Sequence, residues 1–84
     1  MNGLPANWDD LSLFAAIAGE GTLSAAARRL RLSQPTLGRR LQALEASLGA
    51  KLLERIGAGP GAGYVLTTKG AELLPLVERM VEAG

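Results

Sequence analysis

The chain contains no cysteine and no histidine. The first absence excludes disulfides and thiolate metal sites; the second removes the commonest general base and the commonest metal ligand. Aromatic residues make up only 4% of the 84 positions, against a hydrophobic total of 48%. The core must therefore be built mainly from leucine and alanine, which favours helices. No apolar run approaches the roughly 18 residues of a membrane span, and the N-terminus lacks a charged-then-apolar signal pattern. A soluble cytoplasmic protein with no membrane contact is expected. Ser24 and Ser33 have no histidine to activate them, and the adjacent Asp9 and Asp10 suit a helix N-terminus, so nucleophilic catalysis has nothing to support it. Neither an enzyme nor a cofactor is expected.

Charge of one sign is also missing overall, but the net value of +1 hides a polarised chain. From Arg28 to Arg55 there are seven basic residues (Arg28, Arg29, Arg31, Arg39, Arg40, Lys51 and Arg55) against Glu45 and Glu54, a balance of +5. The remainder carries two basic residues and six acids, or −4. Such a basic segment in an otherwise acidic small domain is the electrostatic footprint of a DNA binder.

Eighty-four residues make one domain. Asn7 is a plausible cap for a first helix, in which Leu11, Phe14, Ala15 and Ala18 have the spacing of one buried face; Gly19 and Gly21 end it. Thr22 caps a second helix with Leu23, Ala26, Ala27 and Leu30 inward. Only Arg31, Leu32 and Ser33 separate it from a third, which Ser33 caps and which carries Pro35 in its first turn. Leu37, Leu41, Leu44 and Leu48 form its apolar stripe, closed by Gly49. The pair is a helix-turn-helix over about 22–48. Its third-helix face opposite the leucines holds Pro35, Arg39, Gln42 and Ala46, flanked by Thr36 and Gly38, and suits contact more than packing. Gly38 is unfavourable there by about 1 kcal/mol against alanine, so it is either a defect or a place where a surface comes close. Lys51–Ile56 and Tyr64–Leu66 bracket a glycine-rich tip, a β-hairpin wing over about 52–66. That tip lacks the Lys-Ser/Thr ending of a phosphate loop. A last helix, about 68–82, starts at Thr67 or Thr68 and contains Pro75, where a kink is expected.

The order SAAARRL, LSQPTLGRRLQALEASLG, LLER and LTTKG resembles the DNA-binding domain of LysR-type transcriptional regulators, over about Trp8 to Met80. The resemblance implies a winged helix-turn-helix, mainly α with a small β-hairpin, whose final helix links to an effector-binding domain and pairs two subunits. It makes Gln34, Pro35, Thr36, Gly38 and Arg39 the major-groove readers and Arg55 a wing-base contact to phosphate or the minor groove. Members of that family often carry a small hydroxyl residue where Gly38 stands. The wing here is longer, glycine-rich and without a basic residue between Arg55 and Lys69. Such a wing also resembles the N-terminal domain of molybdate-responsive regulators, the nearest alternative. Both families carry a ligand-sensing domain that these residues lack, so a small-molecule effector would act only through a domain absent from this chain. The sequence is expected to be either a truncated piece or a stand-alone binder.

The expected partner is double-stranded DNA. Helix 34–48 would lie in the major groove with its N-terminal turn nearest the bases, while helix 22–31 crosses the backbone. Arg39 and Arg40 would contact DNA, Arg39 at guanine O6 and N7 and Gln34 at adenine or a water-bridged edge; Arg28, Arg29 and Arg31 would touch phosphate. Leu73, Leu74, Leu76, Val77, Met80 and Val81 span a wider arc than one core-facing stripe needs. A homodimer through Leu73, Leu76, Val77 and Met80 would cover the surplus. The alternative from another class is a protein–protein assembly module of winged-helix shape, for which arginines on both sides of the turn have no use.

Overall fold

A computed structural model of the chain describes residues 8–59 and 61–83, so the expected Asn7 cap lies outside the described residues. Helix α1 (Trp8–Glu20) is followed by α2 (Leu23–Leu30), α3 (Gln34–Leu48), strands β1 (Leu53–Ile56) and β2 (Gly63–Leu66), and α4 (Thr68–Ala83).

Local chemistry sets each boundary. Thr22 Oγ1 accepts from Ala25 N–H at 3.1 Å and caps α2. At its other end Leu32 N–H reaches the Ala27 carbonyl at 3.0 Å and Arg31 N–H the Arg28 carbonyl at 3.3 Å, the paired closure of a Schellman turn. That turn needs a left-handed residue, and here it is Arg31, at φ 59°. The same closure ends α3, with Gly49 in the left-handed role and Ala50 N–H on the Glu45 carbonyl at 3.1 Å. Gly21, at φ 83°, turns α1 into α2; Gly19 lies inside α1 and does not end it.

The buried face of α1 is Leu11, Leu13, Phe14, Ala16 and Ile17, wider than the stripe expected from spacing, and Ala15 and Ala18 are only partly buried. The cause is its central place: α2, α3, α4 and β2 all pack against it, so apolar contact comes from several sides at once. Ala26 and Ala27 of α2 and Leu37, Leu41 and Leu44 of α3 complete that core, with Leu52 and Leu53 at the start of the wing and Val77 of α4.

The hairpin is antiparallel, with Leu53 opposite Leu66, Glu54 opposite Val65, Arg55 opposite Tyr64 and Ile56 opposite Gly63. Its strands are shorter at the N-terminal side than the apolar run suggests, because Lys51 and Leu52 belong to the approach rather than to the ladder. Tyr64 N–H bonds the Gly21 carbonyl at 2.8 Å, which fixes β2 to the α1–α2 corner. Thr67 starts α4: its hydroxyl accepts from Gly70 N–H at 3.1 Å and donates to the Lys51 carbonyl at 2.6 Å. Pro75 stands at an exposed position and α4 continues through it as one helix.

Candidate nucleic-acid interface

The first turn of α3 is built around Ser33. Its Oγ accepts from Thr36 N–H at 3.2 Å and its hydroxyl donates to Thr36 Oγ1 at 2.9 Å. Thr36 is thereby occupied locally, and Arg39 Nη2 also approaches its Oγ1, at 3.5 Å. The capped turn leaves Pro35 and Arg39 exposed on the side away from the leucines.

Between this turn and the wing lies an open concavity of about 760 Å³. Four of the residues expected to read DNA line it, Gln34, Pro35, Gly38 and Arg39, and across from them stands Arg55. Arg55 Nη2 donates to the Gly59 carbonyl at 3.0 Å, so the guanidinium is held at the base of the wing tip. Gln42, which spacing places on the contact face, also lines the concavity, and so does Tyr64, which sequence reasoning left out. Gln42 follows Gly38 by one turn and was legible from spacing. Tyr64 was not, because its place depends on the hairpin register that sets it opposite Arg55.

The arginines do not act as one group. Arg40 turns away from the concavity and donates to Asp10 Oδ1 from Nη2 at 3.0 Å and Nε at 3.3 Å. It joins α3 to α1 on the side away from the expected DNA face. Arg29 pairs with Glu20 at 3.1 Å. Of the seven basic residues from 28 to 55, the other five (Arg28, Arg31, Arg39, Lys51 and Arg55) have no carboxylate within ion-pair distance among the described residues. Arg28 and Arg31 are exposed at the end of α2. The positive field of the helix-turn-helix is thus largely uncompensated on the concave side.

The last helix departs further from expectation. Val77 is fully buried at 0% exposure and belongs to the core, so it is not available to a second subunit. Leu73 and Leu74 are partly buried against the same core. Leu76, at 52% exposure, and Met80, at 38%, remain as exposed apolar residues of this helix. The exposed part of the arc is narrower than the sequence suggests because α1 and β2 pack against α4; the side chain of Val81 lies outside the described residues. No helix among the described residues is long and apolar enough to cross a membrane.

Residues 8–71 match the family model described as "Bacterial regulatory helix-turn-helix protein, lysR family". Among curated relatives, the HTH-type transcriptional regulator TfdT of Cupriavidus pinatubonensis is 44% identical over 72 residues, covering 82% of this chain and 32% of that protein. TfdS of the same organism is 46% identical over 74 residues, covering 88% of this chain and 24% of its own length. The chain therefore spans about a quarter to a third of the length of these relatives. Several of the similar solved structures are DNA complexes. A CbnR_DBD–DNA complex superposes with a TM-score of 0.79 at 40% identity, covering 93% of this chain and 85% of that one. A BenM_DBD/benA site 1 DNA complex gives 0.81 at 31% identity, with 93% and 83% covered.

Proposed function

Because the chain belongs to the lysR family of bacterial regulatory helix-turn-helix proteins, as a winged helix-turn-helix DNA-binding domain, we propose that it reads DNA through the concavity between α3 and the wing. The observation that carries this is the Ser33-capped start of α3, where Gln34, Pro35 and an Arg39 with no carboxylate partner among the described residues line an open cleft together with Arg55. A capped helix N-terminus presents its first turn to a groove with backbone N–H groups and positive dipole end outward. Arg39 has the fork geometry for guanine O6 and N7, and Gln34 can accept from and donate to an adenine edge. Arg28 and Arg31, at the end of α2, are suited to phosphates that fix the register without selecting sequence; Arg55 adds one from the wing side. Gly38 allows backbone to come close where a side chain would stand off.

We further propose that the domain works in the cytoplasm as part of a longer regulator, as a non-enzymatic homodimer through the outer face of α4, with any effector bound by another domain. The relatives TfdT and TfdS are transcriptional regulators several times longer than the matched segment, which supports that reading. Of the two families that the sequence resembles, the LysR-type one is matched.

A titration of duplex DNA across salt concentrations tests the central claim. Contacts to several phosphates give log affinity falling steeply with log salt, by roughly 0.9 per phosphate. A flat dependence removes DNA binding and leaves the assembly-module alternative.

A further inference from the structure

Among the described residues Glu45 is the one charged side chain that is buried, at 8% exposure. No lysine or arginine lies within ion-pair distance of it among the described residues. Its Oε2 instead accepts two backbone hydrogen bonds, from Leu52 N–H at 2.8 Å and Leu53 N–H at 3.2 Å. A carboxylate taken out of water is costly unless donors satisfy it, and two peptide N–H groups on one oxygen do so. Glu45 follows Leu41 by one turn, inside the run of buried positions, where a leucine would cost nothing to bury. What it adds over a leucine is a fixed point for the chain that returns from Gly49 to the wing.

The position of that fixed point matters. On α3, Gln34, Gly38, Gln42 and Glu45 follow at i, i+4, i+8 and i+11, one flank of the helix. The first three line the concavity, and the fourth holds the start of β1. From Leu53, where β1 begins, Arg55 is two residues on and so projects from the same face of the strand. Leu53 is 2% exposed and locked into the core, while Arg55 emerges opposite Arg39. The Leu52 carbonyl accepts in turn from Thr67 N–H at 3.0 Å, which leaves this peptide gripped from both sides.

We propose that Glu45 is a positioning residue of the DNA interface: its carboxylate latches the wing to the recognition helix and thereby sets where Arg55 stands relative to Arg39. The proposal rests on the DNA-binding reading above and goes beyond it, because Glu45 itself touches no DNA. One helix carries both the reading turn and the wing latch, so the two halves of the cleft keep a constant spacing when α3 settles into a groove.

The test uses the 84-residue chain as wild type, Glu45→Ala, Glu45→Gln, Arg55→Ala and the Glu45→Ala/Arg55→Ala double variant. All are measured well below the melting midpoint of the least stable one. Arg55→Ala lowers the salt slope on duplex DNA by about one and weakens binding roughly 5- to 10-fold. Glu45→Ala produces the same two changes, although no charge that meets DNA has been removed. Glu45→Gln binds like wild type, since its amide oxygen accepts the same two N–H groups. The double variant matches Arg55→Ala alone. A folded Glu45→Ala with wild-type affinity and slope, or a double variant whose losses add, overturns the proposal. If Glu45→Ala does not fold, Glu45→Asp, which keeps the charge and shortens the reach, takes its place with the same expectations. Should the wild type itself show no salt dependence, the DNA reading fails and the latch is judged by amide exchange instead. Faster exchange confined to Leu52–Ile56 and Tyr64 in the alanine or aspartate variant upholds it, and a uniform increase over α1 to α3 removes it.

Discussion

Arg40 grips Asp10 Oδ1 from two nitrogens, at 3.0 and 3.3 Å, while its neighbour Arg39 meets no carboxylate among the described residues. Adjacent positions on a helix point about 100° apart, so one arginine fastens α3 to α1 and the other faces the cleft.

That divergence separates two substitutions. Arg39→Ala is expected to lower affinity for a preferred site by about 1–3 kcal/mol and to relax base preference, with a small effect on stability. Arg40→Ala is expected to cost up to about 1 kcal/mol of stability, since the pair is partly exposed, and to leave base preference unchanged. Binding titrations on variant duplexes and thermal melts of both proteins check this. Equal losses of preference for the two would mean that Arg40 leaves Asp10 and reaches the DNA.

Two helical glycines make an opposite pair. A Cβ on Gly70 would overlap the Leu52 carbonyl oxygen, a backbone atom that is itself held by Thr67 N–H. Gly70→Ala should therefore force α4 away from the wing base and cost on the order of 2 kcal/mol or more. A Cβ on Gly38 would meet only Leu23 Cδ2, at 3.9 Å. Gly38→Ala should raise stability by up to about 1 kcal/mol. Nothing within the fold demands glycine there, so a loss of DNA affinity in the more stable protein would assign Gly38 to close backbone approach. Unchanged affinity would make it a plain defect of the helix.

Much of this was legible in the sequence. Caps at Thr22 and Ser33 and the closing Gly49 rest on local hydrogen bonding, which residue type and spacing encode directly. The leucine stripe of α3 is likewise local. What depends on tertiary context was not legible. The breadth of the α1 face reflects four neighbours rather than one. Val77 looked like surplus because a helix alone does not reveal how many elements pack on it. Arg40 read as a DNA contact and Glu45 as a member of a charge count, and only the fold shows one against Asp10 and the other beneath the wing. A carboxylate one turn after Leu41 in an otherwise apolar row was the available hint for Glu45.

The turn itself offers a further test. Arg31 holds a left-handed conformation, φ 59° and ψ 43°, which costs a non-glycine residue roughly 1–2 kcal/mol. Arg31→Gly should relieve that strain, and the gain is offset in part by greater freedom of the unfolded chain. A net change between zero and about 1 kcal/mol in favour of the fold is expected. If the guanidinium also touches phosphate, the same variant loses affinity on all sequences alike and its salt slope falls by about one. A variant that melts higher and binds as wild type would leave Arg31 with a role in the turn alone.

Self-association is expected through the outer face of α4, on a smaller patch than the sequence suggested. Leu76 and Met80, one turn apart, are exposed at 52% and 38%. They continue from a shallow depression where Leu48, Leu52 and Leu73 come near the surface. Pairing across a two-fold axis would cover this patch and set two recognition helices towards successive major grooves. Two such side chains give only a modest area, so a concentration-dependent equilibrium is expected rather than a permanent dimer. Sedimentation of the wild type against a Leu76→Glu, Met80→Glu variant measures it. Both positions are solvent-facing, so the variant should stay folded and shift to monomer, whereas Val77→Glu would place a charge in the core and unfold the chain. A wild type that remains monomeric to high micromolar concentration, or a double variant that associates equally well, would move the interface away from α4. Binding of a single half-site by one recognition helix would be untouched by either result.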